Sequence, residues 1–163
     1  MKLKKGGLTN LVLHQPDDST VVTRTIHIAA RPETVFAFFI DPLKMRQWKG
    51  INATLDPHPQ GQFQVALNEQ DTIRGEYVEV VPYRRIVFTW GWDAPDSLVP
   101  PGSSTVEIDL VPDANGTFLR LCHRGLPTQA RSAHEEGWDY YLPRLALAAG
   151  GGDTAAEPRT QQH

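Results

Sequence analysis

Ser132-Ala133-His134-Glu135-Glu136-Gly137-Trp138-Asp139-Tyr140-Tyr141-Leu142-Pro143-Arg144-Leu145 is the stretch on which the fold turns. Trp138, Tyr141, Leu142 and Leu145 recur at i, i+3, i+4 and i+7, the apolar stripe of an amphipathic helix. Ser132 with Glu135 predicts a capping box, and Thr128 offers an earlier start. Pro143 has no N–H to bond the carbonyl of Asp139, and its ring crowds that turn. A kink between 139 and 143, or an early stop, is therefore expected. No other segment reads as a long helix, so any sheet formed upstream must use this stripe as its cover.

Upstream the pattern is mostly strands. Val22, Arg24, Ile26 and Ile28 share one side of a first strand. Pro32 and Glu33 suit the first turn of a short helix carrying Val35, Phe36, Phe39 and Ile40. Asp41-Pro42 restarts the helical pattern as N-cap and first helical residue, with Met45 and Trp48 on the buried side. From 51 to 123 the chain alternates. Phe63, Val65 and Leu67 form one apolar face, as do Ile86, Phe88, Trp90 and Trp92, then Val106, Ile108 and Leu110, and finally Leu119, Leu121 and His123. The facing of Ile73 to Val81 stays open, with Gly75 as the residue expected to bend it. The expected architecture is α+β: a helix-grip fold. Its curved antiparallel sheet of about six to seven strands wraps around the long C-terminal helix, and two short helices follow the first strand.

The 163 residues fit one domain, read as 19–149 between a flexible N-terminal segment, 1–18, and a disordered tail, 150–163. A formal charge of −3 argues against a nucleic-acid partner, and the single Cys122 cannot form an intramolecular disulfide. The lysine-rich start lacks the apolar run of a signal peptide, and no stretch approaches the ~20 apolar residues of a membrane span. A cytoplasmic protein without membrane attachment is the expectation.

Three blocks carry a resemblance. They are Ala30-Arg31-Pro32-Glu33-Thr34-Val35-Phe36 with Asp41-Pro42 and Trp48, Gly75-Glu76-Tyr77-Val78-Glu79-Val80 with Arg85-Ile86-Val87-Phe88-Thr89-Trp90, and His134-Glu135-Glu136-Gly137-Trp138 with Arg144-Leu145. In that order and spacing they resemble the activator of heat-shock-protein-90 ATPase homologue family of the START-like (SRPBCC) superfamily. The resemblance implies the helix-grip fold and a cavity between sheet and helix that holds lipids, hormones or polyketides in superfamily members. A minority of those members are cyclases or hydrolases. Two departures stand out. Relatives often read Trp-Trp-Gly-Pro where this chain has Trp48-Lys49-Gly50-Ile51, and they usually continue the last helix without a proline where Pro143 stands.

The six histidines show no ligand spacing, and neither a phosphate loop nor a nucleophile elbow is present, so no metal, cofactor or catalytic residue is expected. Trp48, Phe63, Trp90, Trp92, Trp138 and Tyr141, with His123 as a polar anchor, form the expected ligand-binding set. The leading expectation is non-catalytic binding of an apolar or aromatic small molecule. One alternative is a cyclase- or hydrolase-type enzyme using His123, which requires an Arg, Asp or Glu converging on that ring. Another is a co-chaperone-like module acting on a chaperone ATPase. A homodimer stays open.

Overall fold

A computed structural model describes residues 20–151, so segment 1–18 and nearly all of the 150–163 tail lie outside the described residues. The chain runs β1 (Val21–Ile28), α1 (Pro32–Ile40), α2 (Pro42–Met45), β2 (Asn52–Leu55), β3 (Gln62–Ala66), β4 (Thr72–Val81), β5 (Arg85–Trp90), β6 (Ser104–Asp113), β7 (Gly116–Arg124) and α3 (Thr128–Ala149). The seven strands form one antiparallel sheet in the order β1-β7-β6-β5-β4-β3-β2. This is the expected curved sheet with two short helices after its first strand and a long C-terminal helix.

The alternation in sequence becomes alternation in burial. In β6 the residues Val106, Ile108 and Leu110 are buried, and the residues between them are half-buried. The same face carries Leu119, Leu121 and His123 from β7 and Phe63 and Val65 from β3. In β4, Ile73 and Tyr77 point into the core, and the register shifts between Tyr77 and Glu79. That shift explains why no single alternation runs the length of the segment.

Gly75 sits just ahead of this irregularity. A Cβ there would lie 2.0 Å from the Thr89 carbonyl oxygen, so only glycine lets β4 approach β5 so closely. Asp41 caps α2 as expected, its carboxylate accepting from Leu43 N–H at 2.9 Å, with Pro42 in the first turn. Two side chains peg α1 to the rest. The Trp48 indole donates to the Phe38 carbonyl at 3.1 Å, and the Tyr77 hydroxyl donates to the Phe39 carbonyl at 2.7 Å.

Helix α3 takes the earlier of its two expected starts. It begins at Thr128 after Pro127, so the Ser132–Glu135 capping box is not used and both residues are interior. It continues through Pro143 to Ala149, so the early stop, one of the two outcomes expected at that proline, does not occur. An interior proline costs about 3 kcal/mol. Burial of Leu142, Leu145 and Ala149 on the turns around and beyond it offsets that cost, since each large apolar side chain contributes about 1.5–3 kcal/mol. On the other flank, Arg24 of β1 donates to both carboxylate oxygens of Asp139 at 2.7 and 3.2 Å, with Glu135 at 3.7 Å. Among the described residues no helix is long and apolar enough to cross a membrane.

Gly75→Ala is expected to destabilise the fold by about 1–3 kcal/mol, because the added methyl must push Thr89 away from β4. Urea denaturation of the two proteins measures it.

Candidate functional site

The site lies where β5 and its continuation face the middle of α3. Trp90 ends β5, and Trp92 follows it in an isolated bridge to Ile73. The Trp92 amide bonds the Val99 carbonyl at 2.7 Å, which ties the 93–102 loop to the strand end. From α3, His134, Trp138 and Tyr141 point inward at i, i+4 and i+7. Trp90 and Trp138 stand 5.2 Å apart by ring centroid, and Trp90 meets Trp92 edge-on at 5.9 Å.

Two histidines are built into this wall, and their hydrogen bonds set their tautomers. The Trp138 indole donates to Nδ1 of His123 at 3.1 Å. Nε2 of His123 therefore carries the proton and donates to Ser104 Oγ at 2.9 Å, which in turn donates to the Trp90 carbonyl at 2.9 Å. The Trp92 indole donates to Nε2 of His134 at 3.0 Å, and Nδ1 of His134 donates to the Ala130 carbonyl at 2.7 Å. Both rings are neutral in this arrangement. Burial holds the His123 pKa well below its ordinary value, with His134 and Lys49 adding to the effect. No Arg, Asp or Glu converges on His123, so the partner that an acid–base role requires is not found among the described residues.

Lys49 is the residue that sequence reasoning missed. It follows α2, and its amide bonds the Met45 carbonyl at 2.8 Å. Gly50, at φ +89°, then turns the chain into β2, where a Cβ would meet Val65 and the Ala66 carbonyl within 2.8 Å. The turn sends Lys49 inward. Only 5% of it is exposed, and Nζ lies 3.6 Å from the Tyr141 ring centroid, 5.0 Å from Trp138 and 5.2 Å from Trp90. No carboxylate or other acceptor among the described residues reaches Nζ, and burial lowers its pKa well below the ordinary lysine value.

Lys49, Trp90, Trp92, His134, Trp138 and Tyr141 surround a gap at which α3 presents Ala133 and Gly137. The gap is small, about 10 Å³, the space of one water. Larger hollows lie on the solvent side, one of about 540 Å³ around Gln62, Arg74 and Glu76.

Of the seven residues expected to bind ligand, Trp90, Trp92, Trp138 and Tyr141 line the gap. His123 stands behind Trp90, 5.1 Å away. Phe63 stacks on Phe88 at 4.0 Å, and Trp48 packs edge-on against Phe39 at 5.4 Å; neither borders the gap. The loop 93–102 contributes no lining residue. The signal for Lys49 was the departure from Trp-Trp-Gly-Pro, and for His134 its place one turn before Trp138 on the same helical stripe. Among the described residues no cluster of three metal-ligating side chains occurs.

Two outcomes are expected. Lys49→Met should stabilise the protein by at least about 1 kcal/mol at pH 7, since it removes a buried amine without an anionic partner. The gain should shrink as pH rises toward 10.5, because the unfolded lysine then loses the proton that wild type must otherwise shed on folding; urea melts from pH 7 to 10 measure it. For His123 the unfolded ring takes up a proton below pH 6.5 that the folded ring refuses. Stability is then full above pH 6.5 and falls by up to about 1.4 kcal/mol per pH unit below it. In His123→Asn, which keeps an acceptor for Trp138, the acid slope between pH 6.5 and 5 should be shallower.

Comparison with known proteins places this geometry in a family. The profile of the Activator of Hsp90 ATPase homolog 1-like protein family matches residues 29–150. No curated protein matches the chain. An AHSA1-like protein from Rhizobium etli, solved by NMR, is 43% identical, covering 88% of this chain and 91% of its own, with a TM-score of 0.68. A Mesorhizobium loti protein is 22% identical over 78% of this chain and 95% of its own, with a TM-score of 0.70. DynU16, a protein in the dynemicin biosynthetic locus, is 23% identical over 88% of this chain and 51% of its own, with a TM-score of 0.74. With the profile covering most of its length and its fold shared with these structures, the chain belongs to the Activator of Hsp90 ATPase homolog 1-like protein family.

Proposed function

We propose that this protein binds an apolar or aromatic small molecule between the sheet and α3 and does not transform it. The observation that carries this reading is the convergence of Trp90, Trp92, Trp138 and Tyr141 on a gap that α3 also lines with the small residues Ala133 and Gly137. Those two residues are half-buried, so the gap lies at the edge of the core and is not sealed by a large helix side chain. Here the wall also contains polar groups that interior packing alone would not favour, Lys49 above all.

The unliganded gap has room for a single water, so binding requires the aromatic side chains to part. A ring that enters exchanges aromatic contacts already present for its own, which limits the strain of opening. Catalysis through His123 gains no support, because both of its nitrogens are engaged by Trp138 and Ser104.

Native mass spectrometry of the freshly purified protein should show a fraction carrying an added small-molecule mass. Ala133→Leu, which fills the gap from the helix side, should lose that mass while keeping the fold by circular dichroism. A wild-type spectrum containing only bare protein, together with unchanged tryptophan fluorescence across a panel of aromatic compounds, overturns the reading.

A further inference from the structure

Two donors without a partner among the described residues belong to side chains that border the gap. Lys49 Nζ has rings around it but no hydrogen-bond or ion-pair partner among the described residues. The Trp90 indole Nε1 is buried and equally unpaired. Both side chains border the same gap, with Nζ 5.2 Å from the Trp90 ring. Three nearby acceptors are already used. Nδ1 of His123 takes the Trp138 indole, Nε2 of His134 takes the Trp92 indole, and the Trp90 carbonyl takes Ser104.

From this we infer that the ligand of the proposed pocket is an acid: an apolar or aromatic body carrying one carboxylate, whose oxygens accept from Lys49 and from the Trp90 indole. The inference rests on the small-molecule reading above and narrows its ligand class. Lys49, protonated beside a carboxylate, and one indole N–H balance a single negative charge. A phosphate would require more charge and more donors than the gap offers, and no arginine lines it. A cationic ligand is disfavoured for a different reason. Three aromatic faces form a box suited to an ammonium, and the chain's own Lys49 already occupies it. A bound carboxylate would turn a buried, uncompensated amine into half of an ion pair. That gives the energetic cost of burying Lys49 a return that appears only with ligand.

Isothermal titration at pH 7 with 2-naphthoate and with methyl 2-naphthoate tests this, because the two share a body and differ in charge. Wild type is expected to bind the acid at least tenfold more tightly than the ester. Lys49→Met should erase or reverse that preference while still binding the ester. Trp90→Phe, which keeps a ring and loses the N–H, should weaken the acid by about three- to tenfold more than it weakens the ester. Equal or tighter binding of the ester by wild type overturns the carboxylate and leaves the apolar pocket standing, and so does a preference for acid that survives in Lys49→Met. Binding of neither compound to wild type, with no retained small molecule in the native mass spectrum, removes both.

Discussion

The bond from the Trp138 indole to Nδ1 of His123 joins the helix to the sheet in the middle of the core, and much else follows from it. It fixes which nitrogen of His123 holds the proton, and so directs the opposite nitrogen to Ser104 and, through Ser104, to the end of β5. Four groups on four elements are thereby held in one orientation by three bonds in sequence. A second link of the same kind runs from Trp92 through His134 to the backbone of α3. The two rings meet edge-on at 5.3 Å, so a charge on either would face the other in an environment with little water. The interior stays neutral because its hydrogen bonds already consume every imidazole lone pair.

Against those matched imidazoles Lys49 is the mismatch, together with the unpaired Trp90 indole. Stability alone would favour an apolar residue at position 49. The chain instead holds an amine among three rings, which cannot replace an anion. Proteins commonly keep such local costs at the places where they act.

The sheet was largely readable from the sequence because its information is local. Val106, Ile108 and Leu110 alternate within seven residues, and burial in a one-faced sheet follows from period alone. Asp41-Pro42 was readable for the same reason, since a cap acts over two bonds. The choice of Thr128 over Ser132 as the start of α3, and its passage through Pro143, were not, because both depend on what the helix is packed against. The site divides similarly. Trp90, Trp138 and Tyr141 announce themselves by size and face. Lys49 carries no period, and its inward course is set by the left-handed turn at Gly50 and by contacts with Val65 and Ala66, residues distant in sequence. Phe63 and Trp48 look the same as the lining rings in sequence, and only the curvature of the sheet separates them from the gap.

The order of the strands has a consequence for how the molecule comes into being. β1 pairs with β7 from Val21↔Arg124 to Ile28↔Thr117, so among the described residues the first strand finds its neighbour about a hundred residues later. The remaining strands are added hairpin by hairpin, each beside the one before. Closing so long a loop is slow compared with forming local hairpins. During synthesis β1 must therefore wait unpaired while β2 to β7 assemble, and the core is sealed only when α3 emerges and Arg24 meets Asp139. The aromatic interior that defines the site is complete only once α3 has met the sheet.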